Sequence, residues 1–237
     1  RTLSRGPGYD RRVQRYDISP LPTGERVVSE EISTVRSVSL GFWIGTGSRD
    51  ETEARAGVSH FLEHLLFKGS GRHSAQEIAE IFDGLGGELN AATSRETTLV
   101  YARVPDDRVE DALDVIVGMV YDPAFAEIDS EREVVLEEIA MVDDNPQDAV
   151  HDVVTEAVFG GHPLGRPVIG RADVIASVSK RALETYHRAA YAHDNIVVAC
   201  AGNIEHERVV ELLAARGPKT STPARRARNP FSRTPAP

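Results

Sequence analysis

From Gly57 to Phe67 the apolar residues Val58, Phe61, Leu62, Leu65 and Leu66 recur at spacings of three and four. That is the period of an α-helix with one buried face. Gly69 and Gly71 end the pattern. The same short stretch carries a tight cluster of polar residues, His60, Glu63 and His64. Any fold that buries the apolar face leaves these three at its polar edge.

Side chains four apart on an α-helix are separated by about 40° and one turn, so they reach the same point in space. His60 and His64 are such a pair, and two imidazoles on one face form half of a tetrahedral zinc site. Glu63 lies about 60° from His60 and about 100° from His64 around the helix. It is therefore placed beside a metal, to work on a water rather than to ligate. The order H-x-x-E-H inverts the more familiar H-E-x-x-H zinc helix. One zinc ion per chain is expected, and a third ligand is needed. The acidic segment Ser130 to Ile139 is the best local source of one. Glu131 and Glu138 are seven apart and share one helical face, so both could look at one site. Glu133 and Glu137 fall elsewhere and read as solvated, with Arg132 between them. Periodicity leaves the choice of ligand open.

The rest of the chain supplies the frame. Residues 25–32 and 37–45 read as strands; in the second, Val38, Leu40, Phe42 and Ile44 alternate with Ser39, Gly41 and Trp43. Arg49 to Arg55 reads as a surface loop. Ser74 and Glu77 form a capping-box pair opening a helix with Ile78, Ile81, Phe82 and Leu85 on one face. Residues 88–93 and 97–104 read as strands around a polar turn at Ser94-Arg95. Helices follow at about 106–121, 129–143, 147–159 and 178–190, then a strand at 195–201 and a helix at about 205–214. Strands, helices, strands and then mostly helices predict an α+β domain with helices packed on one sheet.

Composition narrows the function classes. A net charge of −10 argues against general nucleic-acid or anionic-membrane binding. No apolar run approaches the roughly 18 residues of a membrane span. The single cysteine, Cys200, follows Ile196 to Ala199 and reads as a buried core thiol, which excludes a disulfide framework and a cysteine zinc cage. That usage fits a cytoplasmic protein. The chain opens on Arg1 with several further arginines, so a trimmed leader and an organelle matrix are the alternative. His162, in a Gly/Pro loop, reads as a hydrogen-bonded structural histidine. His73, His151, His187, His193 and His206 show no paired spacing.

Four segments, in order, resemble a known family. Gly57 to Gly69, with His60-Phe61-Leu62-Glu63-His64 and Phe67-Lys68-Gly69, resembles the pitrilysin-type inverzincin peptidases, most of all the mitochondrial-processing-peptidase branch and its bacterial relatives. Gly86 to Thr98 is similar to that family's edge-strand segment, Glu131 to Glu138 to its distal glutamate helix, and His162 to Pro167 to its structural loop. The resemblance implies an antiparallel-rich mixed sheet with helices packed on it. It also implies zinc ligands His60, His64 and Glu138, with Glu63 as catalytic base and Glu131 as a supporting carboxylate near the metal. Asn90, Ala91 and Thr93 would flank the scissile bond of an extended peptide added to the edge strand. Zinc so held keeps a fourth position for water and lowers its pKa.

The resemblance also sets an expectation about extent. Relatives on this branch are about twice as long, with a similar second half that supplies an arginine and a tyrosine to the substrate. The chain is thus expected to hold a partly disordered leader over residues 1–20, a catalytic N-terminal half-domain over 21–216, and a linker or disordered tail over 217–237. A second half or partner subunit is the expected partner, beside the peptide substrate. A non-catalytic or partner-dependent subunit of a processing complex is the alternative reading.

Overall fold

A computed structural model of the chain describes residues 16–218. Among these residues six strands form one sheet in the order β1-β2-β6-β3-β5-β4. Their ranges are β1 Tyr16–Pro20, β2 Arg26–Glu31, β3 Ser37–Ile44, β4 Glu88–Thr93, β5 Thr98–Pro105 and β6 Ile196–Gly202. Only β2 and β6 pair in parallel; every other neighbouring pair is antiparallel. The expected antiparallel-rich mixed sheet is therefore present. Eight helices accompany it among the described residues: α1 Val58–Leu66, α2 Ala75–Leu85, α3 Val109–Tyr121, α4 Ile128–Asp144, α5 Pro146–Phe159, α6 Ala172–Ser177, α7 Lys180–Ala190 and α8 His206–Arg216.

The alternation in β3 does what its pattern predicts. Val38, Leu40, Phe42 and Ile44 are buried toward the helices, while Trp43 points to the other face and stays exposed. Phe61, Leu62, Leu65 and Leu66 of α1 are fully buried in the same core with Leu113, Ile116 and Met119 of α3. Burying a side chain of this size contributes roughly 1.5–3 kcal/mol, so the apolar face of α1 fixes its rotation against the core. The capping box of α2 is made as its sequence predicts: Ser74 Oγ accepts from Glu77 N–H, and Ser74 N–H donates back to Glu77 Oε2 at 2.7 Å. Cys200 is buried, and burial pushes its thiol up to about 12.

Three expectations need correction. Tyr16–Pro20, placed in the leader, is strand β1, antiparallel to β2; its period-2 signal is weak because it is an edge strand with little to bury. Arg49 to Arg55 is not a plain surface loop but two 3-10 turns, Ser48–Asp50 and Glu53–Arg55, with Ser48 and Glu51 buried. Arg132 does not sit among the glutamates. Its guanidinium lies over the Phe61 ring and donates to the Ile175 and Val178 carbonyls at the end of α6. The remainder of the expected leader, residues 1–15, and residues 219–237 of the expected tail lie outside the described residues.

β4 ends the sheet, with β5 on one side. Its side chains alternate between exposed (Glu88, Asn90, Ala92) and half-buried (Leu89, Ala91, Thr93). α1 packs against both β4 and α4. These contacts bring the three segments singled out in sequence to one place.

Candidate metal centre

The site is built on α1, and α1 is placed by its beginning. Gly57, just before the helix, has φ +95°, and a Cβ there would come within 2.8 Å of the Gly170 Cα. Only glycine allows this back-to-back contact, which seats the loop before α6 against the helix start. Glycine offers no capping side chain. The first turn is capped instead by Glu51, whose carboxylate accepts from Gly57 N–H at 2.8 Å and Ser59 N–H at 2.6 Å. Arg166 holds that loop in turn, donating to the Glu51 carbonyl at 2.5 Å and to Glu53 at 2.9 Å. Nothing in the sequence singled out Glu51, because its partners lie across a loop rather than at a capping-box spacing.

Burial pushes the Glu51 carboxyl up to about 7, against the two backbone donors that favour its charged form. A raised carboxyl pKa means its contribution to stability is fully present below the ordinary value of 4.5 and is lost as pH rises through 7. Glu51→Ala leaves two buried N–H groups without an acceptor, each costing about 1–3 kcal/mol. A thermal melt at acid pH is expected to fall by roughly 5–15 °C for a chain of this size. A shift under 2 °C, less than about 1 kcal/mol produces in a chain of this size, would contradict the capping role.

At the polar edge of α1 three donors converge. His60 Nε2 and His64 Nε2 are 3.3 Å apart, and Glu138 Oε2 lies 3.7 Å from the first and 3.5 Å from the second. Zinc–nitrogen and zinc–oxygen bonds of about 2.0–2.2 Å at tetrahedral angles put ligand atoms about 3.3–3.5 Å apart. The donor set and the spacing both fit zinc. Among the described residues no other group of His, Cys, Asp or Glu gathers three such atoms. The histidine side chains are 18% and 17% exposed and Glu138 is 39% exposed, so the cluster is enclosed by protein on the α1 side and open beyond Glu138. Burial, with His64 adding to it, lowers His60 to about 4, leaving it neutral with a lone pair to give.

Glu131 and Glu138 face the same centre, as their spacing on α4 allows. Glu131 Oε2 is 3.3 Å from His64 Nδ1, on the side of the ring away from Glu138. Glu133 and Glu137 are exposed, as expected. Glu63 sits beside the cluster, and its Oε2 accepts a short hydrogen bond from the Thr93 hydroxyl of β4. Burial raises the Glu63 carboxyl, while the Thr93 bond and His64 pull it down and Glu138 pushes it up. Asn90 and Ala91 are less directly engaged: the Asn90 side chain accepts from Ala91 N–H at 2.8 Å, on the strand that closes the sheet. His162 stands apart, its Nδ1 accepting from Leu164 N–H at 3.2 Å.

The family model for insulinase (peptidase family M16) matches residues 26–172, more than half of the chain. The chain belongs to this family. That match bears out the resemblance to pitrilysin-type peptidases read from the motifs. Among curated relatives, the M16 chain is 47% identical over 195 residues to an uncharacterized zinc protease of Mycobacterium leprae, covering 81% of this chain and 44% of the relative. It is 37% identical over 198 residues to a probable mitochondrial-processing peptidase subunit beta of Arabidopsis thaliana, covering 83% and 37%. A protease from Helicobacter pylori superposes with a TM-score of 0.86 at 24% identity, over 92% of this chain and 54% of that one, which shows the fold. The M16 chain thus spans less than half the length of these curated relatives. Among the described residues no helix is long and apolar enough to cross a membrane.

Proposed function

We propose that this M16 chain is the zinc-binding, catalytic half of an endopeptidase that cuts extended peptides or unstructured segments. The observation that carries the proposal is the meeting of His60, His64 and Glu138 at tetrahedral spacing, with the Glu63 carboxylate beside them and tied to the edge strand. His60, His64 and Glu138 would hold one zinc per chain. Bound there, zinc supplies a Lewis acid that polarises the scissile carbonyl and makes a water acidic.

The residues of the chain do the rest. Thr93 holds Glu63 Oε2, leaving Oε1 to take a proton from the attacking water. As the C–N bond breaks, Glu63 returns that proton to the leaving amine, and the carboxylate is restored. β4 closes the sheet, so an extended peptide adds to it by main-chain pairing, with Asn90, Ala91 and Thr93 alongside the bond to be cut. Thr93 would then touch both machineries, since it lies on the peptide track and orients the base. The proposed half-domain runs over residues 21–216, extended at its start by β1, and a second half or partner subunit completes the substrate site.

Zinc stoichiometry and peptide turnover test this together. The isolated chain is expected to bind one zinc and to turn over peptides poorly, with turnover rising when a second half is supplied. Absence of zinc binding would overturn the metal site; full turnover by the isolated chain would overturn the need for a partner.

A further inference from the structure

The two histidines are unequally supported. His60 Nδ1 is buried with no hydrogen-bond partner, whereas His64 Nδ1 faces Glu131 at 3.3 Å. Behind Glu131 lies one more group: Lys68 Nζ is 2.7 Å from Glu131 Oε1. Lys68 follows α1 by two residues and Glu131 is in the first turn of α4, so the pair also ties the end of one site helix to the start of the other. Glu131 is 7% exposed. Polar oxygens buried to that degree need hydrogen-bonding partners. Lys68 takes one oxygen, which leaves the other aimed at the imidazole.

We propose that Lys68 is a positioning residue for the zinc site, acting through Glu131 to fix the ring and tautomer of His64 so that Nε2 faces the metal. The inference rests on the reading of His60, His64 and Glu138 as ligands. With its ammonium on Oε1, the Glu131 carboxylate accepts from Nδ1–H of His64, and the lone pair of His64 is confined to Nε2. Outer partners of this kind typically change metal affinity by about 10–100-fold when removed. The sign is diagnostic. A lysine acting on zinc only as a nearby positive charge would weaken its binding, and removing it would tighten the site.

The test is the dissociation constant for Zn2+, measured by chelator competition on the chain as it stands. Lys68→Met is expected to weaken binding about 10-fold or more, and Lys68→Arg to stay within about 3-fold of the parent because it keeps the charge. Glu131→Gln should weaken binding too, and adding Lys68→Met to it should cost nothing further, since the lysine then has nothing to act through. Melting of the metal-free variants monitors the fold, and Lys68→Gln stands in if Lys68→Met does not fold. Unchanged or tighter binding by Lys68→Met, or additive losses in the double variant, would overturn the proposal while the ligand assignment stands. Absence of zinc binding in the parent would overturn both.

Discussion

Glu63→Gln is expected to leave one zinc per chain in place and to lower peptide turnover by about 10²–10⁴-fold in the assembly that cleaves peptides. The amide is nearly isosteric and can still accept from the Thr93 hydroxyl, so the geometry around His60, His64 and Glu138 should persist. It cannot take and return a proton at neutral pH, which is the property the proposed mechanism draws on. Metal analysis and steady-state turnover on the same preparation separate the two effects. Loss of zinc together with turnover would place Glu63 among the ligands instead. Turnover within a few-fold of the parent would remove it from the mechanism.

His64→Ala is expected to do the opposite, abolishing the metal and turnover with it. His64 touches more of the site than any other residue: His60 at 3.3 Å, Glu138 at 3.5 Å and Glu131 at 3.3 Å. Deleting it leaves two donors of three and strands the Glu131–Lys68 pair. The loss should exceed the roughly 10–100-fold that an outer partner costs. Differential melting reads this without any substrate. Zinc at 100 times its dissociation constant stabilises a binding-competent fold by about 2.7 kcal/mol, and the variant should show no such gain. An unchanged metal content would favour a non-catalytic subunit that keeps the fold.

The elements that could be read from sequence are those whose signal is local. β3 was legible because its alternation matches the sheet period, and α2 because Ser74 and Glu77 satisfy each other within one turn. α1 was legible because its apolar face and its His60–His64 pair both follow the helical period. β1 and α6 were not, since a five-residue edge strand and a six-residue helix bury too little to leave a pattern. On α4, spacing alone allowed either Glu131 or Glu138 as third ligand, and only the family resemblance chose between them. The structure puts Glu138 at Nε2 of His64 and Glu131 at Nδ1, a difference of one ring nitrogen that no periodicity encodes.

By itself, then, the sequence determined the two histidines and the acid between them, because an α-helix carries its own geometry in its residue spacing. Only the tertiary structure decided what surrounds them. Glu51 caps α1 across a loop, Thr93 reaches Glu63 from the edge strand, and Lys68 meets Glu131 between two helices. Each of these contacts joins residues on different elements. It is set by how those elements pack around a common core, and packing leaves no period in the chain.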